Sequence, residues 1–115
     1  MDVKKFYDTI GQDYQVMLDR MAGNERFLLQ LLQKFLTDPT MNKLTDDLKK
    51  GDAAAIFEGA HCLKGLSGSL GLLPLYDKVD VLVELTRQGS LQGAKEAYWE
   101  VYTVYHEIIG LMNDE

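Results

Sequence analysis

A chain of 115 residues with 18 acidic and 12 basic side chains carries a net charge of −6. That balance argues against a nucleic-acid surface, which needs clustered Lys and Arg, while leaving room for a partner with a locally basic face. The length suits one domain over residues 1–115, able to hide roughly two thirds of its unfolded surface without a disulfide or a structural metal.

The single cysteine, Cys62, has no partner for an internal bridge. No N-terminal apolar run has signal-peptide form, and no segment approaches about 18 uninterrupted apolar residues. A soluble cytoplasmic protein with no membrane attachment is the expectation. Two prolines and ten glycines punctuate the chain, β-branched runs are absent, and the composition favours an all-helical fold.

Taken in order, Phe6, Ile10, Tyr14, Met17 and Met21 recur at spacings of three and four, which predicts one amphipathic helix from Asp2 to about Met21. Gly23-Asn24 breaks it, and Phe27, Leu28, Leu31, Leu32 and Phe35 form the wide apolar face of a second helix. At Thr37-Asp38-Pro39 the chain restarts. Asp38 can cap free amides, and Pro39 suits a first helical position because its missing N–H would have no partner there. The short helix that follows turns Met41, Leu44 and Leu48 inward and ends at Lys49-Lys50-Gly51, cations and then a glycine, as a C-terminus requires.

Asp52 caps the next helix, predicted from Ala53 to about Gly71. Pro74 opens another, with Leu75, Val79, Leu82 and Thr86 inward, closing at Arg87-Gln88-Gly89. Ser90 is the expected cap of the last helix, where Ala94, Tyr98, Val101, Tyr105, Ile108 and Met112 recur and Trp99, Tyr102 and Ile109 widen the face toward the core. Five or six helices joined by short turns predict an antiparallel up-down four-helix bundle with an additional N-terminal helix and a short helix. The sequence has no glycine-rich phosphate loop after a strand and no kinase motif.

The helix from Ala53 carries the chemistry. With His61 as origin and about 100° per residue, Ile56, Gly59, Ala60, Leu63, Ser67 and Leu70 fall between about 160° and 260°. That is the buried side. Phe57, Gly65, Gly68 and Leu72 fall within about 40° of His61, and Lys64 about 60° away. Glycine inside a helix costs roughly 0.5–1 kcal/mol against alanine, so Gly65 and Gly68 on the histidine's stripe point to something that must come close. Neutral imidazole is nucleophilic near neutral pH and a good leaving group when protonated, which suits reversible phosphoryl transfer, and Lys64 can neutralise charge.

Against this stands the plain reading that a lone histidine on a helix is solvated, that the glycines serve helix packing and that Lys64 solubilises. His106 lies near the last apolar face and reads as structural. Cys62 points about 100° from His61, a poor nucleophile–base pair with no orienting third group. Two histidines and one cysteine at these spacings form no zinc pattern.

The run His61-Cys62-Leu63-Lys64-Gly65-Leu66-Ser67-Gly68-Ser69-Leu70-Gly71 resembles the motif of histidine-containing phosphotransfer (HPt) domains of two-component phosphorelays. There a phosphoacceptor histidine is followed by leucine, lysine and glycine at plus two, three and four, a small residue at plus six and a glycine at plus ten. Leu63, Lys64, Gly65, Ser67 and Gly71 meet every place. The resemblance extends over residues 20–112 through Gly23-Asn24-Glu25-Arg26-Phe27, Lys50-Gly51-Asp52 and Arg87-Gln88-Gly89. Two positions depart from the usual pattern: Cys62, where a polar or small residue is frequent, and Val83, near where an acidic residue is usual, with Glu84 one place on.

The resemblance implies a phosphorelay intermediate, a phosphoryl carrier and not an ATP-dependent kinase. His61 would be the phosphoacceptor, Lys64 would steady the charge, Gly65 and Gly68 would give clearance, and Phe57 and Leu72 would form the docking patch. The implied partners are response-regulator receiver domains, with a hybrid sensor kinase as a further candidate. No cofactor is expected on this chain, Mg²⁺ belonging to the receiver, and a monomer is expected. The alternative implied by the same likeness is a non-phosphorylated docking protein for receivers.

Overall fold

The computed structural model describes residues 1–113; the last two positions of the expected 1–115 domain lie outside them. The fold is all-α: α1 (Val3–Ile10), α2 (Tyr14–Arg20), α3 (Glu25–Leu36), α4 (Thr40–Lys50), α5 (Ala53–Ser69), α6 (Leu73–Thr86) and α7 (Ala94–Asn113). The expected single helix over 2–21 is two helices. Gly11 takes a left-handed φ of +84° and closes α1, and the Asp13 carboxylate accepts from Gln15 N at 2.9 Å to open α2. Both are local stop and start signals that apolar spacing alone passes over.

Other boundaries follow the capping chemistry. Asp38 accepts from Thr40 N at 2.8 Å, Asp52 accepts from Ala55 N at 3.1 Å, and Gly51 ends α4 at φ +69°. The last helix begins later than expected: Ser90 Oγ accepts from Gln92 N at 3.1 Å and so holds a turn, and α7 starts at Ala94 after it.

Cross-helix contacts give the topology. Along α5 and α6, Phe57 meets Arg87, Lys64 meets Asp80 and Gly68 meets Tyr76, so the two run antiparallel. Lys78–Glu100 and Leu85 beside Gly93 set α6 antiparallel to α7. Thr40 beside Cys62 and Leu44 beside Gly59 do the same for α4 and α5. Phe35 packs on Tyr105 while Thr45 hydrogen-bonds Tyr98, so α3 and α4 run the same way along α7. Four antiparallel elements result: the α3–α4 arm, α5, α6 and α7, with α1 and α2 as the smaller N-terminal pair.

The buried apolar side chains form one cluster drawn from every helix, including Phe6, Met17, Leu32, Leu44, Leu63, Val79 and Val101. Each full burial of a Leu- or Phe-sized side chain is worth about 1.5–3 kcal/mol, which dominates any propensity term in helices this short. The inward face expected for α5 is the observed one: Ile56, Ala60, Leu63, Ser67 and Leu70 are buried. Buried hydroxyls bond within their own helix, Ser67 Oγ donating to Leu63 O at 2.7 Å and Thr86 Oγ1 to Leu82 O at 2.8 Å. On α7 the expectation fails at two residues: Trp99 is 50% and Tyr102 37% exposed, on the outer side of the helix.

Candidate functional site

His61 sits at the middle of α5, exposed, on a face framed by α6. Its ring stacks on that of Phe57 one turn earlier, with centroids 5.8 Å apart and planes 23° from parallel. Phe57 is half-buried, and the guanidinium of Arg87, the C-cap residue of α6, covers its ring at 5.4 Å. One turn beyond His61, Lys64 Nζ pairs with Asp80 of α6 at 2.7 Å and lies 5.5 Å from the Tyr76 ring centre. The bond to Asp80 raises the Lys64 pKa above its ordinary value against the opposing effect of burial, so the lysine is held charged. Arg87 in turn pairs with Glu84 at 3.0 Å. The histidine therefore lies between two cations, each tied to a carboxylate on the neighbouring helix.

The two glycines differ. A Cβ built at Gly65 meets nothing within 4 Å, so the space beside His61 is open. A Cβ at Gly68 would come 3.3 Å from Tyr76 Cε2. Clearance at Gly68 is already taken by α6, which corrects the expectation that it serves an incoming partner: this glycine lets α5 and α6 approach. Leu72 is corrected too. It is 0% exposed and cannot dock anything, while its neighbour Leu73 is 39% exposed. The helical projection that placed Leu72 beside His61 holds only to Ser69, after which Gly71 turns the chain at φ +67°. A Cβ on Gly71 would run into Met17 Sδ and Gln12 Nε2 of the N-terminal segment, so both conformation and space require glycine there.

The remaining positions have structural explanations. Val83 is fully buried, a place where a carboxylate would have to be desolvated without a partner, and the acidic groups of α6 stand instead at Asp80 and Glu84. Cys62 is exposed on the α4 side, with Sγ 3.7 Å from Thr40 Oγ1. His106 is exposed on α7 with its ring centre 4.3 Å from that of Tyr102.

Sequence reasoning did not find Asp80, Tyr76 or the position of Arg87 over Phe57. The signal was present in the register of an antiparallel pair joined through residues 70–72, which sets 64 against 80 and 57 against 87 once the turn is placed. Among the described residues no group of three or more His, Cys, Asp or Glu side chains could hold a metal ion, and no helix is long and apolar enough to cross a membrane. No protein-family model, curated protein or solved structure matches the chain.

Proposed function

We propose that this chain is a histidine phosphotransfer domain in which His61 accepts a phosphoryl group from the aspartyl phosphate of one receiver domain and passes it to the aspartate of another. The observation that carries the reading is an exposed imidazole at mid-helix with open space at Gly65 and a charged Lys64 one turn away. An outward ring nitrogen attacks the phosphorus in line. As the N–P bond forms, the P–O bond to the receiver's carboxylate breaks and its electron pair leaves with that carboxylate. The other ring nitrogen sheds its proton to water, and the return transfer reverses these steps.

Phe57 restricts the ring by stacking, so the nucleophile is oriented before the partner arrives. Lys64 is positioned to exchange Asp80 for a phosphoryl oxygen, replacing one anionic partner by another at a half-buried pair. The receiver supplies Mg²⁺ and most of the electrostatic stabilisation.

The test mixes the purified protein with radiolabelled phosphorylated receiver domains from its own cell. Label is expected on this chain, labile to acid and stable to base, and lost in His61→Ala. Absence of label from every receiver would reject the carrier reading.

A further inference from the structure

We propose that the cavity between the end of α4 and the start of α7 binds a small amphipathic organic anion, an apolar body ending in a carboxylate. The cavity has a volume of about 420 Å³, and Leu48, Leu91, Ala94, Tyr98 and Trp99 are among the residues that line it. That size lies within the usual range for small-molecule sites, roughly 300–1,000 Å³.

The wall makes no polar demand. Thr45 Oγ1 donates to Met41 O at 3.0 Å, so the 2.6 Å contact with Tyr98 uses the tyrosine's proton, and both hydroxyl hydrogens are spent inside the protein. Lys49 and Lys95, both exposed, also line the cavity, and their flexible side chains can bring an ammonium group to a ligand's polar end. Neither is paired with a carboxylate among the described residues, so each ammonium can meet a ligand without first giving up a counter-ion. In a chain of net charge −6, two lysines without counter-ions beside an apolar wall supply the complementarity that selects an anion.

The apolar half is equally specific. Leu91 is 45% and Trp99 50% exposed, large side chains whose apolar surface water covers until a ligand removes it. Trp99 is braced edge-on by Tyr98 and Tyr102, with centroids 5.4 and 5.1 Å away. A flat wall already fixed in place lowers the ordering cost of binding. No lining residue belongs to the His61 face, so this site stands independently of the phosphotransfer reading.

Trp99 is the one tryptophan of the chain, and its emission reports the cavity in the intact protein. Decanoate, titrated below its aggregation concentration, is expected to change that emission saturably with one-to-one stoichiometry. Decanol, the same body without the charge, is expected to bind at least tenfold more weakly. The double variant Lys49→Gln, Lys95→Gln should stay folded, losing only the small contribution of one cation at the end of α4, and should lose about tenfold in affinity for decanoate alone. A non-saturating titration, equal affinity for decanol, or unchanged affinity in the double variant would each overturn the proposal. So would sedimentation of the unliganded protein as a dimer that Leu91→Glu dissociates, because the cavity would then belong to a second copy of the chain.

Discussion

Replacing Gly65 separates what this position does for the helix from what it does for a partner. At Gly65→Ala the new Cβ meets nothing within 4 Å, so the variant gains the helix propensity of alanine, about 0.5–1 kcal/mol. With an unfolding entropy near 2.1 cal/mol/K per residue, that corresponds to a rise in Tm of roughly 2–4 °C. At Gly68→Ala the Cβ sits 3.3 Å from Tyr76, and the same propensity gain is opposed by an overpacking cost of about 1–3 kcal/mol. Calorimetry should therefore show opposite or clearly unequal shifts for the two alanines. For transfer, reacting atoms must come within about 3–3.5 Å, and a misplacement of roughly 1 Å costs on the order of 100-fold. Gly65→Leu should fold normally and yet accept label from a phosphorylated receiver about 100-fold more slowly than the parent. Wild-type transfer in Gly65→Leu, or a lowered Tm in Gly65→Ala, would refute the clearance argument.

Two further outcomes test the fold around the site. Leu72→Ala should cost about 2–5 kcal/mol in denaturant titrations, as a buried truncation does, while Leu73→Ala beside it should stay within about 0.5 kcal/mol. Tyr7 is fully buried and donates to Leu70 O at 2.7 Å, so Tyr7→Phe should lose about 1–3 kcal/mol by stranding that carbonyl. Burial raises the Tyr7 pKa far above its ordinary value of 10.0. The unfolded chain then ionises first, so the stability from the neutral phenol is complete below about pH 10 and falls as pH rises above it. Urea midpoints of the parent should drop more steeply than those of Tyr7→Phe over that alkaline range.

What the sequence made legible is what a single uninterrupted period can report. Within α5 the 3.6-residue repeat assigns Ile56, Ala60, Leu63 and Ser67 inward and His61 outward, and all are so placed. The same repeat misassigns Leu72 because Gly71 reverses the chain before it. Between Asp2 and Met21 an apolar spacing of three and four runs through a stop at Gly11, so two helices read as one. Tyr7, outside that spacing, is nonetheless completely buried, because its partner is a carbonyl sixty-three positions away. Asp80 and Arg87 reach the site only through the register of α5 against α6, a tertiary quantity. Trp99 and Tyr102 are apolar enough for a core, but the helices packed on α7 cover the side of Tyr98 and Val101 and leave these two on the outer side.

The N-terminal pair meets α5 at its C-terminal end. Arg20 donates to Gly68 O at 2.9 Å, Tyr7 donates to Leu70 O, and Met17 lies under Gly71. Gly68 O also accepts from Gly71 N at 3.2 Å, so the guanidinium is its second donor, and a cation there offsets the negative end of the helix dipole. Tyr7 reaches a carbonyl sixty-three positions on, so Tyr7 and Met17 stay uncovered until residues 68–71 are in place, and the closure entropy of that long loop is met before the contact rewards it. The helix that carries His61 is thus sealed by contacts that span about half of the described residues.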